Sequence, residues 1–168
     1  MESNGSAGGL ISLWNEDFFE VQLCIFNERC IILAGVLLKI KKLVVFCNMY
    51  AANVESERKE LWKFILEAQA SFQAPWCIGG DFNTILIPNA RKGRMGDTTS
   101  MRNFRDFVNL AKVVDIPLLG MLFTWSNNRD VEAWAKLDRF LCYPIFLSWF
   151  PNLVQKGFSK SVSNHNSI

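Results

Sequence analysis

The sequence predicts an α/β domain spanning residues 1–168, and three observations carry that expectation. The first 50 residues contain runs rich in Val, Ile, Leu and Phe separated by short polar breaks. Two later stretches carry apolar residues at helical spacing, and apolar strand-like pieces lie between and after them. Strands and helices interleaved in this way fit helices covering sheets in one layered core.

Residues 9–14, 18–26, 30–40 and 43–50 read as strands, broken at Asn15-Glu16-Asp17, Asn27-Glu28-Arg29 and Lys39-Ile40-Lys41-Lys42. Such short polar breaks suit hairpins of an antiparallel sheet. Residues 55–72 read as a helix. Leu61, Phe64, Ile65 and Ala68 share a face, Glu55 and Glu57 fall in the first turn where the helix dipole favours anions, and Asn53 is the expected cap. Pro75 ends that element, and Trp76-Cys77-Ile78-Gly79-Gly80 reads as a buried strand running into Asp81-Phe82-Asn83. Residues 84–99 form a loop holding the basic cluster Arg91-Lys92-Gly93-Arg94. A second amphipathic helix is expected over 100–112, with Met101, Phe104, Phe107 or Val108, and Ala111 inward. Strand-like pieces follow at 122–125, 133–142 and 153–162.

Half of the 168 residues are apolar and 13% are aromatic, which excludes a disordered or fibrous chain. A net charge of +2 neither announces nor excludes a nucleic-acid partner, because local patches decide that. Cys24, Cys30, Cys47, Cys77 and Cys142 show no C-x-x-C spacing, and the chain has one histidine, so no zinc site is expected; buried or half-buried free thiols are. The longest apolar run, residues 30–38, is far short of the roughly 20 needed to span a bilayer. No basic leader precedes an apolar stretch, and a soluble intracellular protein without membrane contact is expected.

Two carboxylates each follow or occupy an apolar strand, Asp81 after residues 76–80 and Asp138 within Lys136-Leu137-Asp138-Arg139-Phe140. Polar groups at strand ends emerge from a rigid core and serve as ligand sites. Position alone leaves commoner readings open, a turn cap for Asp81 and a surface ion pair for Asp138. His165, among small polar residues, also fits a solvated end, and the cluster from Arg91 to Arg94 fits a solvated loop as well as a phosphate contact.

The order of the motifs adds what position cannot. Asn48-Met49-Tyr50-Ala51, Gly80-Asp81-Phe82-Asn83, Phe123-Thr124-Trp125-Ser126-Asn127, Lys136-Leu137-Asp138-Arg139 and Ser163-Asn164-His165 follow one another along the chain. The series resembles the endonuclease/exonuclease/phosphatase family, and within it the LINE-type retroelement branch of plants. Asp115-Ile116-Pro117-Leu118-x-Gly120 and Trp149-Phe150-Pro151 share that likeness, which covers roughly residues 8–168.

The resemblance implies a deoxyribonuclease I-like, four-layer α/β sandwich of two facing mixed sheets flanked by helices, present here in part. It implies Mg²⁺-dependent hydrolysis of phosphate esters, with DNA as substrate and partner. Asp81 would orient or deprotonate the attacking water, and Asn83 would donate to phosphoryl oxygens. Tyr50 would add a hydroxyl near the scissile phosphate, His165 would contact a non-bridging oxygen, and Asp138 would hold His165. Arg91, Lys92, Arg94 and Trp125 would contact nucleic acid.

Two departures from the family pattern argue for impaired hydrolysis. The family's first strands, with an Asn motif and a metal-binding Glu, have no counterpart ahead of residue 8, and Glu16 and Glu20 lie beyond the motif's place. A truncated, marginally stable copy is therefore expected, with an open sheet edge. Asn164 occupies the metal-site position where the family carries Asp. Asn keeps an acceptor oxygen but loses the charge that draws a hard cation. In serine-protease triads the same change beside a histidine costs about 10⁴ in rate. Four readings follow: an active Mg²⁺-dependent endonuclease; a non-catalytic remnant that still binds nucleic acid; a small-molecule phosphatase of the same family; and an unrelated interaction protein, which would leave Asp81, Asn83, Asp138 and His165 scattered.

Overall fold

A computed structural model of the chain describes residues 9–92, 96–127, 132–158 and 164–168. The strands are β1 (Phe19–Asn27), β2 (Cys30–Leu37), β3 (Lys42–Tyr50), β4 (Trp76–Asp81), β5 (Val114–Asp115), β6 (Leu118–Leu119), β7 (Trp125–Ser126), β8 (Trp134–Ala135), β9 (Asp138–Cys142) and β10 (Gln155–Lys156). The helices are α1 (Glu55–Ser71), α2 (Thr99–Leu110) and α3 (Ile145–Trp149).

Six strands form one mixed sheet in the order β1-β2-β3-β4-β9-β5, and two two-stranded pieces, β10-β6 and β7-β8, complete the β structure of the described residues. β1, β2 and β3 make the two antiparallel hairpins expected from the polar breaks. β4 then joins β3 in parallel, after the crossover through α1, and β9 pairs antiparallel with β4. This is the expected mixed α/β architecture, one sheet of parallel and antiparallel pairs with helices packed on it.

Alternation along the strands divides the core into two faces. Ile32, Val45, Cys47, Met49, Trp76, Ile78 and Leu141 point toward α1 and α2. Their partners there include Leu61, Trp62 and Ile65 of α1 and Phe104 and Phe107 of α2, so both helices bury the faces their spacing predicts. The ring of Trp62 stacks at centroid distances of 5.8, 5.6 and 4.5 Å on Phe82, Phe104 and Phe107. Truncating such a ring to Ala costs about 3–5 kcal/mol. The opposite face gathers Phe19, Leu33, Leu37, Val44, Ile116, Cys142 and Phe146 of α3, and leaves Ile11, Leu13 and Phe18 exposed nearby.

Several expected elements take another form. Residues 9–14 form no strand: Ile11 and Leu13 are exposed, and the segment is tied to the sheet by Asn48, whose Nδ2 donates to Ile11 O at 2.8 Å and Ser12 Oγ at 3.1 Å. Asn53 is not the cap of α1; Val54 occupies that position without a side-chain bond. The strand expected over 133–142 splits because Lys136 N–H turns to Ala90 O and Leu137 N–H to Thr124 Oγ1. The piece at 122–125 begins only at Trp125, and that at 153–162 reduces to β10, with 159–162 outside the described residues. The sequence reading missed α3, five residues starting behind Pro144. All five cysteines are free; Cys24 is exposed rather than buried. No helix of the described residues is long and apolar enough to cross a membrane.

Candidate active site

The sheet brings three side chains level at the ends of adjacent strands. Tyr50 closes β3 opposite Asp81, which closes β4, and Asp81 in turn pairs with Asp138 at the start of β9. The position of Asp81 is fixed from both sides. Gly80, at φ +136°, has no room for a Cβ against Met49 O, and a Cβ on Gly79 would strike the Phe140 ring. The two glycines thus admit neighbouring backbone and an aromatic ring. Phe82, fully buried under Trp62, pins the following residue. Asn83 then takes φ 47°, a left-handed turn that Asn tolerates, and its backbone N–H donates to Asp81 Oδ1 at 2.8 Å.

Asp81 and Asp138 face each other across a pair in which β strands exchange no backbone bonds, since Phe82 N–H donates to Leu137 O in the adjacent pair. Side chains are closest at such pairs, and like charges there repel. Burial, and then the charge of Asp138, push the Asp81 carboxyl up to about 6; the Asn83 N–H and His165 oppose that rise. His165 Nδ1 lies 2.9 Å from Asp138 Oδ2 and its Nε2 lies 3.9 Å from Asp81 Oδ2. The Asp138 hydrogen bond holds the imidazole above its ordinary value despite partial burial. That contact orients the ring with Nδ1–H toward Asp138 and Nε2 toward Asp81.

Asp138 is itself positioned by residues of the quoted motifs to which the sequence alone assigns no role. The buried Thr124 hydroxyl accepts from the N–H of Leu137 at 3.0 Å and of Asp138 at 2.9 Å. Next to Asp138, Arg139 is 1% exposed and donates to Asp115 Oδ2 at 3.0 Å, while Lys136 Nζ reaches the same carboxylate at 2.9 Å. The Arg139 guanidinium also lies 5.3 Å from the centre of the Phe104 ring.

A cavity of about 800 Å³ opens on these groups, lined by Tyr50, Asp81, Asn83, Asn164 and His165 among others. Arg91 and Trp125, expected to contact nucleic acid, line it too. Lys92 does not: its ammonium lies 3.7 Å from Glu132. Arg94 lies outside the described residues. Asn83 Nδ2 already donates to Ala51 O at 2.7 Å, so at most one of its amide hydrogens remains for a phosphoryl oxygen. Arg58, Thr84 and Ser100 also line the cavity and were missed in the sequence. Arg58 had a signal, a cation three and four residues before Leu61 and Trp62 on an otherwise apolar helix face.

Among the described residues, Asp81, Asp138 and His165 form the one group able to hold a metal, with a ligand atom from each all within 4.8 Å of one another. Glu16 and Glu20 are exposed and stand outside it. A carboxylate whose proton affinity is raised by burial and by a facing carboxylate suits a divalent cation, which would relieve that repulsion.

No family model and no curated protein matches the sequence. Solved structures do match the fold. The endonuclease domain of TRAS1, a telomere-specific non-LTR retrotransposon, aligns with a TM-score of 0.63 at 13% identity, over 92% of this chain and 68% of that one. An endonuclease/exonuclease/phosphatase protein of Bacteroides vulgatus aligns at 0.61 and 14% identity, over 91% and 65%. A mannosyl-6-phosphatase of Bacteroides thetaiotaomicron aligns at 0.57 and 13% identity, over 92% and 64%. The chain thus spans about two thirds of each, and the likeness is one of fold.

Proposed function

We propose that this chain is a phosphodiesterase domain of the endonuclease/exonuclease/phosphatase family, of retroelement origin and acting on DNA, with hydrolysis impaired at Asn164. One observation carries the reading. Tyr50, Asp81, Asn83, Asp138 and His165, separated by up to 115 positions in sequence, line or adjoin a single cavity at one end of the sheet. The motif order of the retroelement branch and the fold shared with a retrotransposon endonuclease support it further.

The chemistry follows from the geometry. Asp81, with its carboxyl raised to about 6, is mostly ionised at neutrality yet more basic than an ordinary carboxylate, which suits a group that takes a proton from water. His165, when protonated with Asp138 behind it, presents Nε2–H as a donor for the charge that builds on a phosphoryl oxygen, and its raised proton affinity favours that form. Tyr50 supplies a hydroxyl at the same wall, and Arg91 and Trp125 offer a cation and an aromatic face to the strand beyond. Mg²⁺ held at the Asp81–Asp138 pair would neutralise phosphate charge, and Asp81 would then orient the water rather than accept its proton. Asn164 adds no charge to that site, and the weakened affinity for a hard cation is the impairment.

Nicking of supercoiled plasmid in Mg²⁺ tests the reading. The chain as it stands is expected to nick slowly or not at all, and Asn164→Asp to raise the rate at least tenfold, with the gain abolished by His165→Ala. Folded protein that binds no DNA and gains nothing from Asn164→Asp would contradict it, and turnover of a sugar phosphate instead would move it to the small-molecule phosphatases.

A further inference from the structure

Among the described residues, Arg58 differs from the other buried guanidinium, that of Arg139. It is 7% exposed, held inward on α1 by the packing of Leu61 and Trp62. Arg139, at 1%, has the Asp115 carboxylate at 3.0 Å. Around Arg58 the partners are neutral: Nη1 donates to Ala52 O at 2.9 Å and Asn53 O at 2.7 Å, and Nη2 to Ser100 Oγ at 3.0 Å. Among the described residues no carboxylate lies within ion-pair distance of it. A guanidinium stays charged, and here burial outweighs the one opposing influence, the charge of Glu55 one turn earlier, which makes no ion pair with it.

Arg58 lines the same cavity as Asp81 and His165, on a wall shared with Thr84, Thr98 and Ser100. Ser100 Oγ lies 3.0 Å from Thr84 Oγ1, so two hydroxyls bridge Arg58 to the loop that follows Asn83. Hydroxyls and a guanidinium fork together make a phosphate-binding set. At about 800 Å³ the cavity has room for more than one phosphate.

We infer that Arg58, with Ser100 and Thr84, forms a second phosphate subsite beside the reacting position, so that the ligand is a strand with consecutive phosphates rather than a phosphate monoester. The inference rests on the phosphodiesterase reading of the cavity. Arg58 would take the phosphate flanking the one at His165. The hydroxyls would fix its register, and the guanidinium would supply the charge that a single-phosphate ligand leaves unanswered.

The test compares two probes on the full chain at low salt: thymidine 5′-monophosphate, and a thymidine dinucleotide bearing a 5′-phosphate. His165 is the single histidine, so its NMR signals report occupancy of the reacting position. The dinucleotide is expected to bind about tenfold more tightly or better, the worth of one charge-assisted contact. In Arg58→Gln that preference should fall to about twofold or less by the same arithmetic. A merely structural role would weaken both probes together and keep the ratio, which would overturn the inference. Should Arg58→Gln fail to fold by circular dichroism, Ser100→Ala takes its place. It is expected to lower the preference by about threefold, roughly one neutral hydrogen bond, and an unchanged preference would overturn the inference. If neither probe shifts His165 in the unmodified chain, the phosphodiesterase reading falls, and the subsite with it.

Discussion

Asp81 and Asp138 project from paired positions on neighbouring interior strands of a six-stranded sheet. His165 and Asn164 arrive instead on a short terminal segment, joined to the rest by the Trp125 bridge and by backbone bonds from Ser126 N–H to Asn164 O and Asn166 N–H to Thr124 O. The carboxylates are set by register, by Gly79 and Gly80, and by the Phe82 anchor, so their mutual repulsion is built into the sheet. The imidazole that offsets this repulsion is docked. The sheet supplies the negative charge of the site, and the segment supplies the imidazole donor and the neutral amide of Asn164.

Thr124 connects the two regions. Its hydroxyl holds the start of β9, its carbonyl accepts from Asn166, and Trp125 next to it bridges to His165.

The comparison can be broken most severely from the sheet side. Asp115→Ala removes the counter-charge of the buried Arg139 next to Asp138, and urea unfolding should register a loss of about 3–5 kcal/mol. A loss below about 1 kcal/mol would mean that β9 does not depend on that ion pair. Thr124→Val keeps the shape but leaves the amides of Leu137 and Asp138 without an acceptor. It should cost about 1–3 kcal/mol and return the His165 signals toward those of a solvated imidazole. A stability loss with His165 unmoved would separate the two regions.

Acidity sharpens the comparison further. The folded value of Asp81 is about 6 against an ordinary 3.8, so the folded chain keeps a proton that the unfolded chain releases between these values. Stability in EDTA is therefore expected to be greatest below this window and to fall by about 3 kcal/mol as pH rises through it. The ion pair of His165, whose value is also raised, contributes fully below its ordinary 6.5 and is lost as pH rises through the folded value. Thermal melts from pH 4 to pH 8 check both slopes, and Asp81→Asn should flatten the lower one. A chain more stable at pH 8 than at pH 5 would reverse the sign.

The smallest effect concerns the rim. Arg91 lines the cavity, whereas Lys92 pairs with Glu132 in the open. Arg91→Ala should lower the slope of log affinity for DNA against log salt by about one, and Lys92→Ala should leave it unchanged. Neither should alter stability by more than about 0.5 kcal/mol. Equal slopes would return Lys92 to the interface.

The carboxylates were legible in the sequence because each sits at the end of an apolar strand, and the order of motifs joined them to His165. Hairpins and helices were legible because local polar breaks and a 3.6-residue period determine them. Arg58, Thr84, Ser100 and Thr124 were not, since their roles come from contacts 13 to 42 positions away, as for Arg58 with Ser100 and Thr124 with Leu137. Residues 9–14 misled for a related reason. Their apolar composition suits a strand, but a strand also needs a partner, and here Asn48 side-chain bonds take its place.

The most direct test of a single site built from both regions is the titration of His165, followed by NMR in EDTA without assignment ambiguity because the chain has one histidine. A midpoint above the ordinary 6.5, falling back in Asp138→Asn, is the expected result. A midpoint at or below 6.5 that ignores Asp138→Asn would show that the terminal segment does not dock at the strand ends, and the proposed site would lose its donor.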